Sequence, residues 1–146
     1  MFERGVIRNR AAAQQLRDFS GLRYGRITPT DIDAYMEFGG RLFVFVEAKY
    51  GGALLPYGQQ LAIERLVDAI HNPPHRYAVA MVVSHDTQGA DVSFADTRVQ
   101  RYRWSGQWRS PQEFGMPLRA ALDCVVSKYG TSQLVDVHNK RVAANG

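Results

Sequence analysis

Apolar residues along this chain of 146 residues gather in short runs that polar and glycine-rich stretches separate. The two longest runs, LFVFV at residues 42–46 and YAVAMVV at residues 77–83, are rich in β-branched and aromatic side chains. Both have the length of a buried strand and fall short of the roughly 18 apolar residues that a membrane span requires. They predict strands at residues 41–50 and 76–84 that are covered on both faces.

A β-hairpin is predicted at the first of these strands. Polar and apolar residues roughly alternate over residues 32–38, as expected for a strand with one buried face. Gly39-Gly40 follows and can take the positive φ angles of a tight turn. We therefore expect a two-residue turn to join residues 32–38 to the buried strand.

Three segments have the properties of helices. Residues 8–19 are mostly good helix formers, and a last helix is expected to open at Ser110-Pro111 and to end at Gly130. Between them, the segment after Pro56 has the clearest amphipathic spacing, and Asn72-Pro73-Pro74 ends it. The apolar faces consist of Ile63, Leu66, Val67 and Ile70 in this segment and of Leu118, Ala121, Leu122, Val125 and Tyr129 in the last helix.

Predicted helices and strands intermix along the chain, with one or two further strands expected over residues 91–104. This order predicts a mixed α+β fold of the α/β type, with a central mixed sheet flanked by helices. The sequence shows no internal repeat and no linker, so we expect a single domain over residues 1–146.

Composition narrows the class of protein. The net charge of +4 permits a polyanionic partner such as a nucleic acid. Cys124 is the only cysteine, which excludes an internal disulfide and a zinc site built from several cysteines. Because the first ten residues lack the apolar segment of a signal peptide, we expect a soluble, cytoplasmic protein.

Charged residues stand at the end of the most apolar strand. Glu47-Ala48-Lys49 directly follows five apolar residues, and Asp31 and Asp33 lie at the start of the opposite strand. Since strand side chains alternate, Glu47 and Lys49 share one face. One interpretation is a Glu–Lys salt bridge with an aspartate satisfied by backbone donors. The other is a divalent-metal site, in which the carboxylates bind Mg²⁺ and the lysine orients the attacking water.

The pattern of Asp33 and Glu47-Ala48-Lys49 across a hairpin resembles the PD-(D/E)xK nuclease superfamily, which has a restriction-endonuclease-like αβββαβ core. The triplet is the only acid-x-lysine sequence in the chain and uses one of only three lysines. The resemblance implies that Asp33 and Glu47 bind Mg²⁺ or Mn²⁺, with the Ala48 carbonyl as a further ligand. It also implies that Lys49 serves the attacking water.

The resemblance extends to Gly58-Gln59-Gln60, which is similar to the glutamine that several branches of the superfamily have at the start of the next helix. It implies a site role for Gln59 or Gln60. The family's Pro-Asp dipeptide is replaced here by PTDID at residues 29–33, so either aspartate could be the first ligand. Asp33 is favoured as the metal ligand, and Asp31 could then help to orient the residues that bind the metal.

Further residues are candidates for contacts with a nucleic acid. A basic and aromatic group consists of Arg101, Arg103, Trp104 and Trp108, and Tyr50 flanks the triplet. Such side chains bind phosphates and stack on bases, although they also occur as packing and solvated edge residues.

The function that the resemblance implies is a Mg²⁺- or Mn²⁺-dependent nuclease that hydrolyses phosphodiester bonds in DNA, as in DNA repair or recombination. The alternative is a non-catalytic domain that binds nucleic acid or another partner on the same fold. A homodimer is a further hypothesis, because a double-strand cut by a small nuclease needs two active sites.

Overall fold

The computed structural model of this protein describes residues 18–130, and residues 32–130 contain a mixed sheet with helices packed on its faces. Its strands are β1 (Ala34–Phe38), β2 (Leu42–Tyr50), β3 (Tyr77–His85), β4 (Arg98–Trp104) and β5 (Gln107–Arg109), and its helices are α1 (Tyr57–Ile70) and α2 (Leu118–Tyr129). The strands lie side by side in sequence order. Strands β2 and β3 are parallel and joined by α1, and all other neighbours are antiparallel.

The chain divides into two compact units, residues 1–31 and 32–146. In the first unit, the described residues 18–31 contain a 3₁₀ turn at Ser20–Leu22 and an isolated bridge between Tyr24 and Ile27. The helix predicted over residues 8–19 lies outside the described residues except for its last two positions, which precede the 3₁₀ turn. The single domain over residues 1–146 stays a prediction.

The β1–β2 hairpin differs from the prediction by one residue. The two glycines do form the turn, with φ angles of +59° and +73°, and the Arg41 N–H donates to the Phe38 carbonyl at 3.0 Å. The ladder, however, begins with Phe38 opposite Leu42, so Arg41 is an extra residue in the loop. The predicted two-residue turn is therefore present, but Arg41 is not paired with Phe38 in the ladder: its carbonyl accepts from the Tyr77 N–H of β3, at 2.7 Å.

Each face of the sheet carries a hydrophobic core, because successive apolar side chains of the central strands point to opposite faces. Residues of α1 cover one face, and residues of α2 cover the other. We refer to them as the α1 face and the α2 face. The α1 face is built from Phe45, Leu55, Ile63, Val67, Ala78, Ala80 and Val82, and the α2 face from Leu42, Val44, Val46, Val79, Met81, Val83, Val99, Leu118, Ala121 and Val126.

Helix α1 confirms the amphipathic prediction in its position and in most of its buried face. Ile63 and Val67 are buried against the sheet, and Ile70 is partly buried. Leu66 is 38% exposed, because the sheet covers a narrower stripe than the spacing predicts.

Helix α2 begins at Leu118, and the start predicted at Ser110-Pro111 was wrong. Gly115 has a φ of +71°, which is incompatible with a right-handed α-helix, and Pro117 is the N-cap residue of α2. The backbone before the helix pairs with β4 instead: the Val99 N–H donates to the Met116 carbonyl at 2.9 Å. The C-terminal end at Gly130 is confirmed.

The mixed α+β class is therefore confirmed. Residues 91–104 contain one strand, β4, behind a 3₁₀ turn at Phe94–Asp96. Within residues 32–130, two strands precede the crossover helix, whereas the αβββαβ core has three. Among the described helices, neither has the length and apolar character needed to cross a bilayer.

The turn geometry yields a stability prediction. Gly39→Ala should lower the free energy of unfolding by about 1 kcal/mol, because φ of +59° is strained for a residue with a Cβ although the space around it is open. Gly58→Ala in the first turn of α1 is the matched control, since its surroundings are equally open and its φ is not in the left-handed region. Urea unfolding should show no loss for the control. Equal stability of the Gly39 variant and the wild type would contradict the turn geometry.

Candidate active site

Glu47 is a buried carboxylate that directly follows the apolar part of β2. It is 5% exposed and lies on the α1 face, beside a small void that Phe45, Ile63 and Val82 also line. Its Oε1 accepts a hydrogen bond from the Gln59 Nε2 at 2.6 Å. Its Oε2 is buried and has no hydrogen-bond partner among the described residues. A buried oxygen without a partner costs about 1–3 kcal/mol, so its presence requires an explanation.

Asp33 lies opposite Glu47 because of the extra residue in the hairpin loop. Ala34 pairs with Val46, and one step further along this register Asp33 comes opposite Glu47. Opposed residues of antiparallel strands share a face, with Cα atoms about 4.5–5.5 Å apart. Pairing of Phe38 with Arg41 would have placed Asp33 opposite Val46, on the other face of the sheet. The Asp33 Oδ2 accepts from the Ala48 N–H at 2.8 Å, which holds this carboxylate at the edge of β2.

Gln59, in the first turn of α1, connects Glu47 with Lys49. Its Nε2 donates to the glutamate, and its Oε1 lies 3.4 Å from the Lys49 Nζ and accepts from it. No ion pair within residues 18–130 joins Glu47 to Lys49 directly. The amide therefore takes the place of the salt bridge that one interpretation of the sequence predicted, while the aspartate does bond to a backbone donor as that interpretation expected.

Burial and, to a smaller extent, the nearby charge of Asp33 raise the pKa of Glu47 from 4.5 to about 7. The hydrogen bond from Gln59 opposes this shift, because it favours the ionised carboxylate. The charge of Asp33 therefore disfavours the ionised form of Glu47. A bound cation would favour that form.

The donor set fits a hard divalent cation. Asp33 and Glu47 offer carboxylate oxygens, and the Ala48 carbonyl points to the same edge of β2 as the Ala48 N–H that bonds to Asp33. Pairing with β1 ends at Val46, before this position. No cluster of three or more His, Cys, Asp or Glu residues suited to a metal occurs within residues 18–130. A metal here would rely on two carboxylates with backbone and water oxygens, a set that suits Mg²⁺.

The structure brings Gln60, Arg101 and Arg103 together on the α1 face, next to this group. The Gln60 Oε1 accepts from the Arg101 Nη2 at 2.9 Å, and Arg103 forms an ion pair with Asp68 of α1 at 2.6 Å. The guanidinium of Arg101 stacks on the Trp108 ring, with its Cζ 4.3 Å from the ring centroid.

Tyr50 and Trp104 do not join the other candidates. The Trp104 ring packs on the α2 face, where Tyr77 and Tyr129 contact it, so the predicted grouping of Trp104 with the two arginines was wrong. Its face follows from strand alternation, since it is one residue from Arg103. Tyr50 alternates away from Lys49 in the same manner, and its hydroxyl accepts from Gln88.

Asp31 is exposed and is the last residue of the first unit. Of the two candidate aspartates, Asp33 is the one that the hairpin register places opposite Glu47.

A row of polar residues along α1, which was not predicted from the sequence, completes this face. Glu64 accepts from the Trp108 indole N–H at 2.6 Å and from Gln60 at 3.0 Å, and these bonds help to lower its pKa. Gln60, Glu64 and Asp68 follow one another at four-residue spacing, the signal that could have revealed the row. We call this row, together with Arg101, Arg103 and Trp108, the polar seam.

Comparison of the chain with family models, with curated protein sequences and with solved structures found no match. The functional interpretation therefore depends on the geometry of the chain itself.

The raised pKa of Glu47 predicts a pH dependence of stability without divalent metal. The folded protein holds this proton more tightly than the unfolded chain, so the stabilising contribution is full below pH 4.5 and is lost as pH rises to about 7. Urea unfolding in EDTA should show this decrease for the wild type, and Glu47→Gln should lack it. Glu64→Gln is the control: because the pKa of Glu64 is lowered, its loss should change the curve with the opposite sign. Parallel pH curves for the wild type and Glu47→Gln would contradict the prediction.

Proposed function

We propose that this protein is a Mg²⁺- or Mn²⁺-dependent nuclease that hydrolyses phosphodiester bonds in DNA. The observation that carries the proposal is the buried Oε2 of Glu47, which has no hydrogen-bond partner among the described residues and lies near the carboxylate of Asp33. A buried carboxylate with a second, exposed acid beside it is expected where a cation binds between the two.

The roles of the chain's residues follow from their contacts. Asp33 and Glu47 would hold the metal, with the Ala48 carbonyl as a third oxygen donor. When bound, the metal would lower the pKa of a bound water and offset negative charge on the phosphate. The Lys49 ammonium would orient the attacking water and stabilise the charge that develops on the phosphate oxygens.

Gln59 would position two of these groups at once. Its amide N–H binds Glu47 and its carbonyl binds Lys49, so the carboxylate and the ammonium are held near each other without neutralising each other. Lys49 can then donate its remaining protons to a water or a phosphate oxygen.

The finer fold assignment, a restriction-endonuclease-like core, belongs to the same proposal. It is supported by an aspartate just before one hairpin strand, a Glu-Ala-Lys triplet at the end of the next, and a helical crossover to a parallel strand. The net charge of +4 agrees with a polyanionic substrate.

Calorimetric titration with MnCl₂ and a cleavage assay on DNA test the proposal together. Asp33→Asn and Glu47→Gln should each weaken Mn²⁺ binding by about tenfold or more and abolish cleavage. Lys49→Ala should keep the Mn²⁺ affinity and lower kcat by about 100-fold or more, because it removes a group that acts on the water and not on the metal.

Glu113→Gln and Lys128→Ala are the matched controls, since each removes the same charge from an exposed position. Both should behave as the wild type. Cleavage that survives in Glu47→Gln and Lys49→Ala would overturn the proposal. Salt-sensitive DNA binding without Mn²⁺ binding would indicate the non-catalytic nucleic-acid-binding domain instead.

A further inference from the structure

One row of side chains crosses the sheet from the candidate active site to the polar seam. Glu47 of β2 lies opposite Val82 of β3, and Val82 lies opposite Arg101 of β4. Opposed residues of neighbouring strands point to the same face, so Glu47 and Arg101 both project toward α1. The backbones of their strands are about 9.5 Å apart, which is two strand spacings.

An irregularity in the β3–β4 ladder creates this row. The register shifts between Val82 and Val83, so that Val83 opposes Val99 whereas Val82 opposes Arg101, with Gln100 as the extra residue. If the pairing that begins with Arg98 and Val99 continued without the shift, Arg101 would oppose Met81 and point to the α2 face. β-Bulges commonly re-aim a side chain in this way near functional sites.

Arg101 and its neighbour Arg103 differ in their charge balance although both lie on the α1 face. Arg103 donates two hydrogen bonds to the Asp68 carboxylate, at 3.1 and 2.6 Å, so its charge is paired. Arg101 is bonded to the neutral amide of Gln60 and stacked on Trp108, and no ion pair within residues 18–130 involves it. Arg101 is therefore held in place by neutral groups, with no salt bridge and with donors left over.

Adjacent residues of α1 link this arginine to the active site. Gln59 binds Glu47 and Lys49, and Gln60 binds Arg101. The first turn of α1 thus fixes the distance between Glu47 and Arg101 on the α1 face.

We infer that Arg101 binds a backbone phosphate of the substrate, one to three nucleotides from the bond that is cut, and that Arg103 does not. This inference rests on the proposed nuclease function. The spacing follows from the roughly 9.5 Å between the strands and the rise of about 3.4 Å per nucleotide. A guanidinium that is already oriented and lacks a carboxylate partner is suited to bind a phosphate, because little is lost when it forms the new bonds.

DNA affinity of Arg101→Gln and of Arg103→Gln, its matched control, tests the inference in the full chain. We would measure binding of a labelled oligonucleotide by fluorescence anisotropy in EDTA, where no cleavage occurs, over a range of salt concentrations. Arg101→Gln should weaken binding by about tenfold and reduce the salt slope by about one, whereas Arg103→Gln should change neither. Both variants should keep the wild-type Mn²⁺ affinity.

A neutral methylphosphonate placed at successive positions of the oligonucleotide locates the contact. One position within three nucleotides of the cut should weaken binding to the wild type and to Arg103→Gln but not to Arg101→Gln. Equal losses for the two arginine variants, or no such position, would overturn the inference while leaving the nuclease proposal intact. A wild-type protein that neither binds nor cleaves DNA would overturn both.

Discussion

The buried carboxylate of Glu47 is the constraint on which the rest of this face depends. One of its oxygens bonds to an amide and the other has no hydrogen-bond partner among the described residues, while burial and the charge of the nearby Asp33 raise its pKa. Folding alone offers no reason to retain this arrangement, since an apolar side chain at the same position would avoid the cost of an unpaired polar group. Such unfavourable local features concentrate where a protein binds or reacts.

Two extra residues in the strand ladders decide which charges reach this face. Arg41 shifts the hairpin register so that Asp33 comes opposite Glu47, and Gln100 shifts the next ladder so that Arg101 points toward α1. With regular pairing, both charged groups would point to the apolar core on the other side of the sheet. The placement of charge is thus a property of the backbone pairing as much as of the residues themselves.

Periodicity was sufficient to predict most of the fold, because β2, β3 and α1 have strong and simple hydrophobic patterns. The acids and the lysine were also found from the sequence, since charges directly after a buried apolar run are unusual. The register of the hairpin was not predictable. The Arg41 carbonyl accepts from the N–H of Tyr77, which is distant in sequence, and Arg41 therefore stays outside the hairpin ladder. The predicted start of α2 was wrong because the residues before it form a backbone bond, Val99 to the Met116 carbonyl, that the local sequence does not reveal. The predicted grouping of Trp104 with the arginines was wrong because neighbours in sequence on a strand point to opposite faces.

The most direct test of this account is a crystal structure of the protein grown with MnCl₂, using the anomalous scattering of manganese to locate the ion. The account predicts a single strong peak bridging the carboxylates of Asp33 and Glu47, with the second oxygen of Glu47 as a ligand. A crystal grown with MnCl₂ that shows no peak at this position, or that shows Asp33 turned away from Glu47, would contradict the proposed metal site.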